Sequence, residues 1–234
     1  MREFINIESN MTSASFGNGV LAAISIMLLI ATGPAMSQQE QAPLKVESVD
    51  TVDHRYAAAK LGDPVLKREF FEFFLANSED LSNYREPALR LLIEAGDAGD
   101  PMAMHLIGAL LVNGILVNKD VTKGLGWLLK SRAEGVELSS LSLGLAYLEL
   151  YHTSNSESDR SVYNTEAIGF LREAASAGLE PAIGFLGQQL ILDPETFDEG
   201  LEYLERAAEQ GDELSAEYLY EIEQYMKGTN RIGK

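Results

Sequence analysis

The sequence predicts an all-α protein whose helices stack as antiparallel pairs in an α-solenoid. Apolar residues recur every three or four positions, which is the spacing of helices with one buried face. Glycines with similar surroundings also recur at intervals of 37, 36, 43 and 33 residues, at Gly62, Gly99, Gly135, Gly178 and Gly211. A short repeat that cannot bury its apolar face alone must stack on its neighbours.

Each repeat is predicted to be a helical hairpin. In the first helix Ala103, Ile107 and Leu111 share one face, and a glycine beside the middle residue allows close approach of the second helix. The second helix places a small residue three positions before a bulky one, as at Gly124 and Trp127. The glycine that closes each repeat is expected at the position after a helix where a positive φ is required.

The predicted organisation follows from these units. Residues 38–62 form a linker and an N-terminal cap helix, and residues 63–227 form the solenoid, followed by a tail at 228–234. The repeats are 63–99, 100–135, 136–178 and 179–211, with a capping helix at 213–227. The helices within them are predicted at 65–76, 86–97, 101–112, 120–133, 138–150, 164–176, 181–192, 197–209 and 213–227.

The amino terminus has the features of an export signal. Residues 20–30 are almost all apolar, yet the run is shorter than the about 20 residues that a bilayer-spanning helix needs. Ala35 and Ser37 are small residues at the positions that a signal peptidase reads, and polar residues follow from Gln38. We therefore expect residues 1–37 to be a cleaved signal peptide, with an uncleaved membrane anchor as the alternative.

Composition limits the classes of function. The chain has 234 residues, of which 46% are hydrophobic, so it can fill a core. Its 36 acidic and 18 basic side chains give a net charge of −18, which counts against a nucleic-acid binder. It has no cysteine, which excludes disulfides, thiol nucleophiles and cysteine-ligated metals.

The repeats resemble the Sel-one-like repeat (SLR) family, a relative of the tetratricopeptide repeat. Three linked matches between residues 99 and 211 carry the resemblance. They comprise Ala103, Ile107, Gly108, Leu111, Gly114, Lys123, Trp127 and Gly135; then Leu143, Gly144, Tyr147, Ala167, Phe170, Ala174, Ala175 and Gly178; then Ala182, Leu186, Gly187, Tyr203, Ala207, Ala208 and Gly211. Leu116 stands where the family often has glycine, and Asp193 replaces a turn glycine.

The resemblance implies a right-handed superhelix with a concave face lined by the first helix of each pair. Transferring the tetratricopeptide geometry gives partner-binding positions on that face: His105, Ala109, Val112, Asn113, Leu141, Leu145, Leu148, Glu149, Gln188, Ile191, Leu192, Glu217, Glu221 and Tyr225. Arg68, Glu72 and Gln224 flank them. An apolar groove of this kind suits a peptide or helix of a partner. The alternative is that Leu141, Leu145 and Leu148 pack inside the protein.

Residues 151–164 form an insertion in the second repeat. Ser, Asn and Asp dominate it, so we expect a surface loop, either functional or inert.

Catalytic motifs are absent from the sequence, including G-x-S-x-G, H-E-x-x-H and G-x-x-x-x-G-K. The three histidines share no ligand spacing, so no metal, cofactor or small-molecule substrate is expected. The acidic run from Asp193 is better explained as a helix start, with Asp193 or Thr196 as N-cap and Glu199 at N3, than as a calcium loop.

The leading hypothesis is a non-enzymatic adaptor in the bacterial periplasm that binds a segment of an envelope protein, a role that the SLR resemblance implies. One alternative is a structural envelope protein tethered by its apolar amino terminus. The other is an enzyme whose side chains converge only in the fold, such as Glu149 with His152.

Overall fold

The computed structural model describes residues 49–232, and the side chains of residues 51–227. The predicted signal peptide and the first part of the predicted linker lie outside these residues. Within the described part of the chain all regular structure is helical, and no strand is present. The prediction of an all-α protein is therefore confirmed.

Ten α-helices and one short 3-10 turn follow one another along residues 49–232. The helices are α1 (Val49–Leu61), α2 (Pro64–Ala76), α3 (Arg85–Asp97), α4 (Pro101–Asn113), α5 (Val121–Ala133), α6 (Glu137–Thr153), α7 (Glu157–Ser176), α8 (Glu180–Leu190), α9 (Phe197–Glu209) and α10 (Glu213–Ile232), and the 3-10 turn is Ser82–Tyr84. Every predicted helix is present. The larger departures are an earlier start of α7 and a later end of α10.

The predicted loop at 151–164 is wrong. Helix α6 continues to Thr153 and α7 begins at Glu157, so only residues 154–156 connect them. The helix begins here because the Ser156 hydroxyl accepts a hydrogen bond from the Asp159 amide (3.3 Å). The acidic residues Glu157 and Asp159 also occupy the first turn, where they interact favourably with the helix dipole. A serine-rich and aspartate-rich composition marks a helix start in this case.

The described residues divide into two compact units, 49–139 and 140–232, and the boundary falls within α6. In the first unit, each helix from α1 to α5 packs on the next. Fully buried Phe71, Phe74, Leu92 and Leu106 belong to its core. In the second unit, α8 packs on α7 and α9, and α9 packs on α10.

Glycines close four of the predicted repeats as expected. After α3, Gly99 has a φ of 97° and its amide bonds the carbonyl of Gly96 (3.1 Å), while the Asp100 amide bonds that of Ala95 (3.0 Å). This pair of bonds is a Schellman motif, which satisfies carbonyls at the helix end. Gly135, Gly178 and Gly211 also have positive φ values. Gly62 does not, so the expectation of a left-handed closing glycine is wrong at that position.

In the repeat of residues 100–135, helices α4 and α5 pack against each other through glycines. A methyl group added to Gly108 would lie 2.7 Å from Leu128 Cγ and 2.9 Å from the Gly124 carbonyl oxygen. One added to Gly124 would lie 2.7 Å from Val112 Cγ2. These distances leave no room for a side chain, so α4 and α5 are in backbone contact.

The turn between α4 and α5 contains the one described non-glycine residue with a positive φ, Leu116 at 62°. The Arg85 guanidinium donates a hydrogen bond to the Leu116 carbonyl oxygen (2.6 Å). The half-buried Leu116 side chain packs against the core of the first unit. Tertiary contacts thus hold an unfavourable backbone conformation where the family pattern has glycine.

Candidate functional site

Most residues predicted to line a concave groove have no accessible surface to offer. Eight of the fourteen are buried: Ala109, Val112, Leu141, Leu145, Leu148, Ile191, His105 and Gln188. Leu141 and Leu148 are 0% exposed and Leu145 is 4% exposed. The expectation that these leucines form an open groove is therefore wrong, and the alternative of interior packing describes them.

His105 shows why a groove position can be buried. Its Nδ1 lies 3.1 Å from the Ser139 hydroxyl oxygen, which belongs to the first turn of α6. Ser139 donates to Ser131 Oγ (2.8 Å), and Ser131 donates to the Pro101 carbonyl oxygen (2.7 Å). Burial lowers the pKa of His105 to about 4. The imidazole is thus a neutral structural group between α4, α5 and α6.

Three predicted partner-binding residues are exposed, and all lie on α10: Glu217, Glu221 and Tyr225. Asn113, Glu149 and Leu192 are half-buried. The flanking Arg68 and Glu72 are half-buried and joined by an ion pair (2.6 Å), and Arg68 also pairs with Asp100 (3.1 Å). A role of the exposed residues in partner binding stays a prediction.

The unit of residues 140–232 contains a cavity of about 610 Å³, within the size range of ligand sites. Side chains of α6, α7, α8, α9 and α10 and of the α8–α9 turn line it. The lining residues are Tyr151, Glu157, Arg160, Ser161, Asn164, Ile168, Arg172, Gln189, Leu190, Ile191, Leu192, Asp193, Thr196, Phe197 and Ile222.

One face of α7 forms a wall of this cavity. Arg160, Asn164, Ile168 and Arg172 recur every four residues, so they lie on one side of the helix. Part of that wall comes from the insertion, because α7 begins before residue 164. The insertion predicted as a loop therefore contributes part of the wall of this cavity.

Two side-chain amides of the cavity have acceptor oxygens without hydrogen bonds. Gln189 is 3% exposed, and neither its Oε1 nor the Oδ1 of Asn164 has a partner. Buried polar atoms are nearly always hydrogen-bonded in native proteins, because leaving one unsatisfied costs about 1–3 kcal/mol. A pair of such atoms in one cavity makes it a candidate ligand site.

Around the cavity, two guanidinium groups face three carboxylates. Arg172 pairs with Glu199 of α9 (2.9 Å), and Arg160 lies 3.9 Å from Glu157. The Arg160 guanidinium also lies over the Tyr151 ring, 4.7 Å from its centroid. Asp193 adds one more carboxylate at the α8–α9 turn, where it accepts a hydrogen bond from the Glu195 amide (2.9 Å). The cavity has no excess of positive charge that would select an anion.

The turn before α9 differs from the predicted capping arrangement. Thr196 occupies the N-cap position and Glu199 is at N3, as predicted. The Thr196 hydroxyl, however, donates to the Leu190 carbonyl oxygen (2.7 Å) and makes no cap to the helix amides. Glu199 is engaged with Arg172 of α7. The turn is thereby fixed to α8 and α7, which keeps this side of the cavity in place.

Little of this site could be predicted from the sequence. Ile191 and Leu192 are among the predicted binding residues, and part of the α7 wall lies within the insertion. Gln189 and Asn164 were missed. The available signal was helical spacing through the insertion at residues 157, 160, 161, 164 and 168, combined with the Ser156 and Asp159 pair that marks a helix start.

The described residues contain no group of three or more histidine, aspartate or glutamate side chains placed to hold a metal ion. Within residues 49–232, no helix combines the length and the apolar character needed to cross a membrane.

Comparison with known proteins identifies the fold. No family model matches the chain, and no curated protein matches its sequence. A Sel1 repeat protein from Oxalobacter formigenes has a similar structure, with a TM-score of 0.57 and 18% identity, over 87% of this chain and 77% of that one.

A second structure, c5321, is described as a protective antigen of uropathogenic Escherichia coli strains with an SLR fold. It aligns over 85% of this chain and 55% of its own at 13% identity, with a TM-score of 0.32. The Oxalobacter structure confirms the predicted Sel-one-like repeat fold. The chain therefore shares the fold of a Sel1 repeat protein.

Proposed function

We propose that this protein is an exported, non-enzymatic scaffold that holds a segment of a partner protein. The observation that carries the proposal is the helical-repeat fold, which the solved Sel1 repeat protein shares over 87% of this chain. Folds of this type present many side chains from successive helices, a geometry suited to binding extended partners. The export signal in the sequence supports a place in the periplasm.

Helix α10 supplies one surface for such a partner. Tyr220 is 63% exposed, Met226 52% and Tyr225 38%, and the acidic residues Glu217 and Glu221 lie among them. Exposed aromatic and methionine side chains beside charges are typical of interaction surfaces. This combination favours a partner with apolar and basic side chains.

Site-specific photo-crosslinking in the native cell tests the scaffold role. Glu217 and Glu221 are replaced one at a time by a photoreactive phenylalanine, with the same replacement at exposed Ile93 in α3 as the matched control. We expect a discrete crosslinked protein from the α10 positions only. Equal patterns from all three positions, or none, would remove the support for a partner on α10.

Export is tested separately by the intact mass of the protein isolated from the periplasmic fraction and from the membrane fraction. A chain that begins at Gln38 is the expected result. A membrane-bound chain that retains residues 1–37 would replace export into the periplasm with the tethered alternative.

A further inference from the structure

We propose that the cavity of residues 140–232 binds an extended, uncharged peptide segment with one aliphatic side chain. This inference rests on the proposed function and names the ligand of a particular site. It is carried by the two unpartnered amides, the absence of excess positive charge and the aliphatic wall of the cavity.

The amides define the hydrogen bonds that the ligand makes. The oxygens of Gln189 and Asn164 are buried acceptors without donors, on helices α8 and α7 respectively. A peptide main chain offers amide donors at regular spacing, and side-chain amides can both accept from its N–H groups and donate to its carbonyls. A ligand with N–H donors would complete both groups at once.

The charges do not favour a strongly charged ligand. Each arginine of the cavity already faces a carboxylate, Arg172 at 2.9 Å from Glu199 and Arg160 at 3.9 Å from Glu157. A phosphate or carboxylate would have to compete with Glu199 and Glu157 for the arginines, and an ammonium group would have to compete with the arginines for those carboxylates. Asp193 faces neither arginine but is exposed, so a cation there would gain little. An uncharged main-chain segment binds without disturbing either pair.

The apolar wall defines the side chain that the segment carries. Ile168 of α7, Ile191 after α8 and Ile222 of α10 line the cavity together with Phe197. Branched aliphatic residues bury a hydrocarbon side chain favourably, and Phe197 is the one aromatic ring among these four residues. The Tyr151 ring, which could serve a sugar, lies beneath the Arg160 guanidinium. These features favour a peptide over a carbohydrate.

Methyl NMR of the full chain with labelled isoleucine tests the site directly. The probe is the blocked tripeptide N-acetyl-Ala-Leu-Ala-amide at up to about 10 mM, where ligands of this size are expected to bind. We expect shifts of the Ile168, Ile191 and Ile222 methyl signals, and no shift of Ile93 in the other unit. The same peptide with N-methylated main-chain amides should shift none of them, because it lacks the donors.

The rival ligand is tested in the same experiment with the neutral disaccharide maltose. Shifts of the three isoleucines by maltose and not by the tripeptide would overturn the proposal in favour of a carbohydrate site. Absence of shifts with either probe would overturn it as well. Equal shifts by the N-methylated and the unmodified peptide would contradict the role of the amides.

Substitution of Gln189 separates binding from structure. Gln189→Met removes the unpartnered amide and keeps the length of the side chain, and Gln210→Met at an exposed site after α9 is its matched control. We expect Gln189→Met to weaken tripeptide binding by about tenfold without lowering the melting temperature, and the control to change neither. A Gln189→Met chain that fails to fold would show that the amide is structural and contradict the proposal.

Asn164→Leu provides a second, independent variant on α7, with the same expectation. Failure of these experiments would leave the α10 crosslinking result unaffected, because α10 contributes only Ile222 to the cavity lining. Conversely, tripeptide binding without any crosslinked partner would leave the cavity site intact and count against the scaffold role of α10.

Discussion

At the scale of single residues, the protonation of His105 follows from its hydrogen-bond chain. Ser131 must give its only hydroxyl proton to the Pro101 carbonyl oxygen, which can only accept. Ser139 then gives its proton to Ser131, so the remaining bond requires His105 to donate from Nδ1. The buried imidazole is therefore the neutral Nδ1–H tautomer.

His105 gives the protein a specific sensitivity to acid. Its pKa of about 4 in the folded state lies below the ordinary histidine value of 6.5, because burial disfavours the charged ring. Between these values the unfolded chain binds a proton that the folded chain does not, so stability falls as pH falls from 6.5 toward 4. We expect His105 to account for about 2 kcal/mol of lost unfolding free energy between pH 7 and pH 5.

Urea unfolding of the native chain and of His105→Asn at the two pH values measures this contribution of His105 to the unfolding free energy. The asparagine amide retains a donor near the Ser139 hydroxyl but does not titrate in this range. The variant is less stable at pH 7 because it leaves a small cavity, yet it should lose about 2 kcal/mol less on acidification. Equal losses for both chains would show that His105 does not titrate as its burial requires.

At the scale of helices, the backbone contact of α4 with α5 makes the effect of a glycine-to-alanine substitution on stability depend on its position. Gly108→Ala places a methyl group 2.9 Å from a carbonyl oxygen of the partner helix, so we expect a loss of about 1–3 kcal/mol. Gly126→Ala, in the interior of α5, meets nothing within 4 Å. It should gain about 0.5–1 kcal/mol through helix propensity.

Thermal or urea unfolding of the two variants tests this prediction, since both make the same chemical change, one in α4 and the other in α5. A similar sign for both would mean that α4 and α5 do not touch through their glycines.

In the turn between α4 and α5, glycine is expected to give a more stable protein than alanine, the reverse of their usual order in a helix. Leu116 has a φ of 62°, which is unfavourable for every residue with a Cβ atom. Leu116→Gly and Leu116→Ala both remove the half-buried side chain, so the difference between them isolates the backbone. We expect the glycine variant to be more stable by about 1 kcal/mol in urea unfolding. An alanine variant of equal or greater stability would contradict a left-handed conformation at this residue.

Helices were predictable from the sequence where a local signal marks both ends. Asp100 illustrates this, because its carboxylate accepts from the Ala103 amide (2.6 Å) and the preceding Gly99 closes α3. The start of α7 was not recognised, since serine and aspartate favour both loops and helix caps. The burial of Leu141 and Leu148 was predicted only as an alternative, for a different reason. A repeat pattern gives the phase of a helix but not what covers each of its faces.

At the scale of the whole molecule, the cavity lies beyond the reach of sequence patterns. Its walls come from five helices and a turn, and its most informative property is that Gln189 and Asn164 lack partners. The sequence does not show whether the amide of a glutamine has a hydrogen-bond partner in the folded protein. Such unsatisfied groups are expected where function conflicts with stability, which is why the structure was needed to find this site.

The net charge of −18 acts on the molecule as a whole. Even if every basic side chain formed an ion pair, half of the 36 acidic groups would remain unpaired and repel one another. The ion pairs on the surface, such as Lys227 with Glu223, are exposed and contribute little in opposition. Self-repulsion therefore lowers the stability of the folded chain at low ionic strength.

Raising the salt concentration from about 10 mM to about 150 mM shortens the Debye length from about 30 Å to about 8 Å, which screens this repulsion. We expect the unfolding free energy to rise by about 1 kcal/mol, which corresponds to roughly 2–4 °C in the melting temperature. Sodium and potassium chloride should act equally, because screening depends on ionic strength and not on a bound cation. A melting temperature that falls with salt would mean that attraction within the partly buried Arg68, Glu72 and Asp100 network outweighs repulsion among the remaining carboxylates.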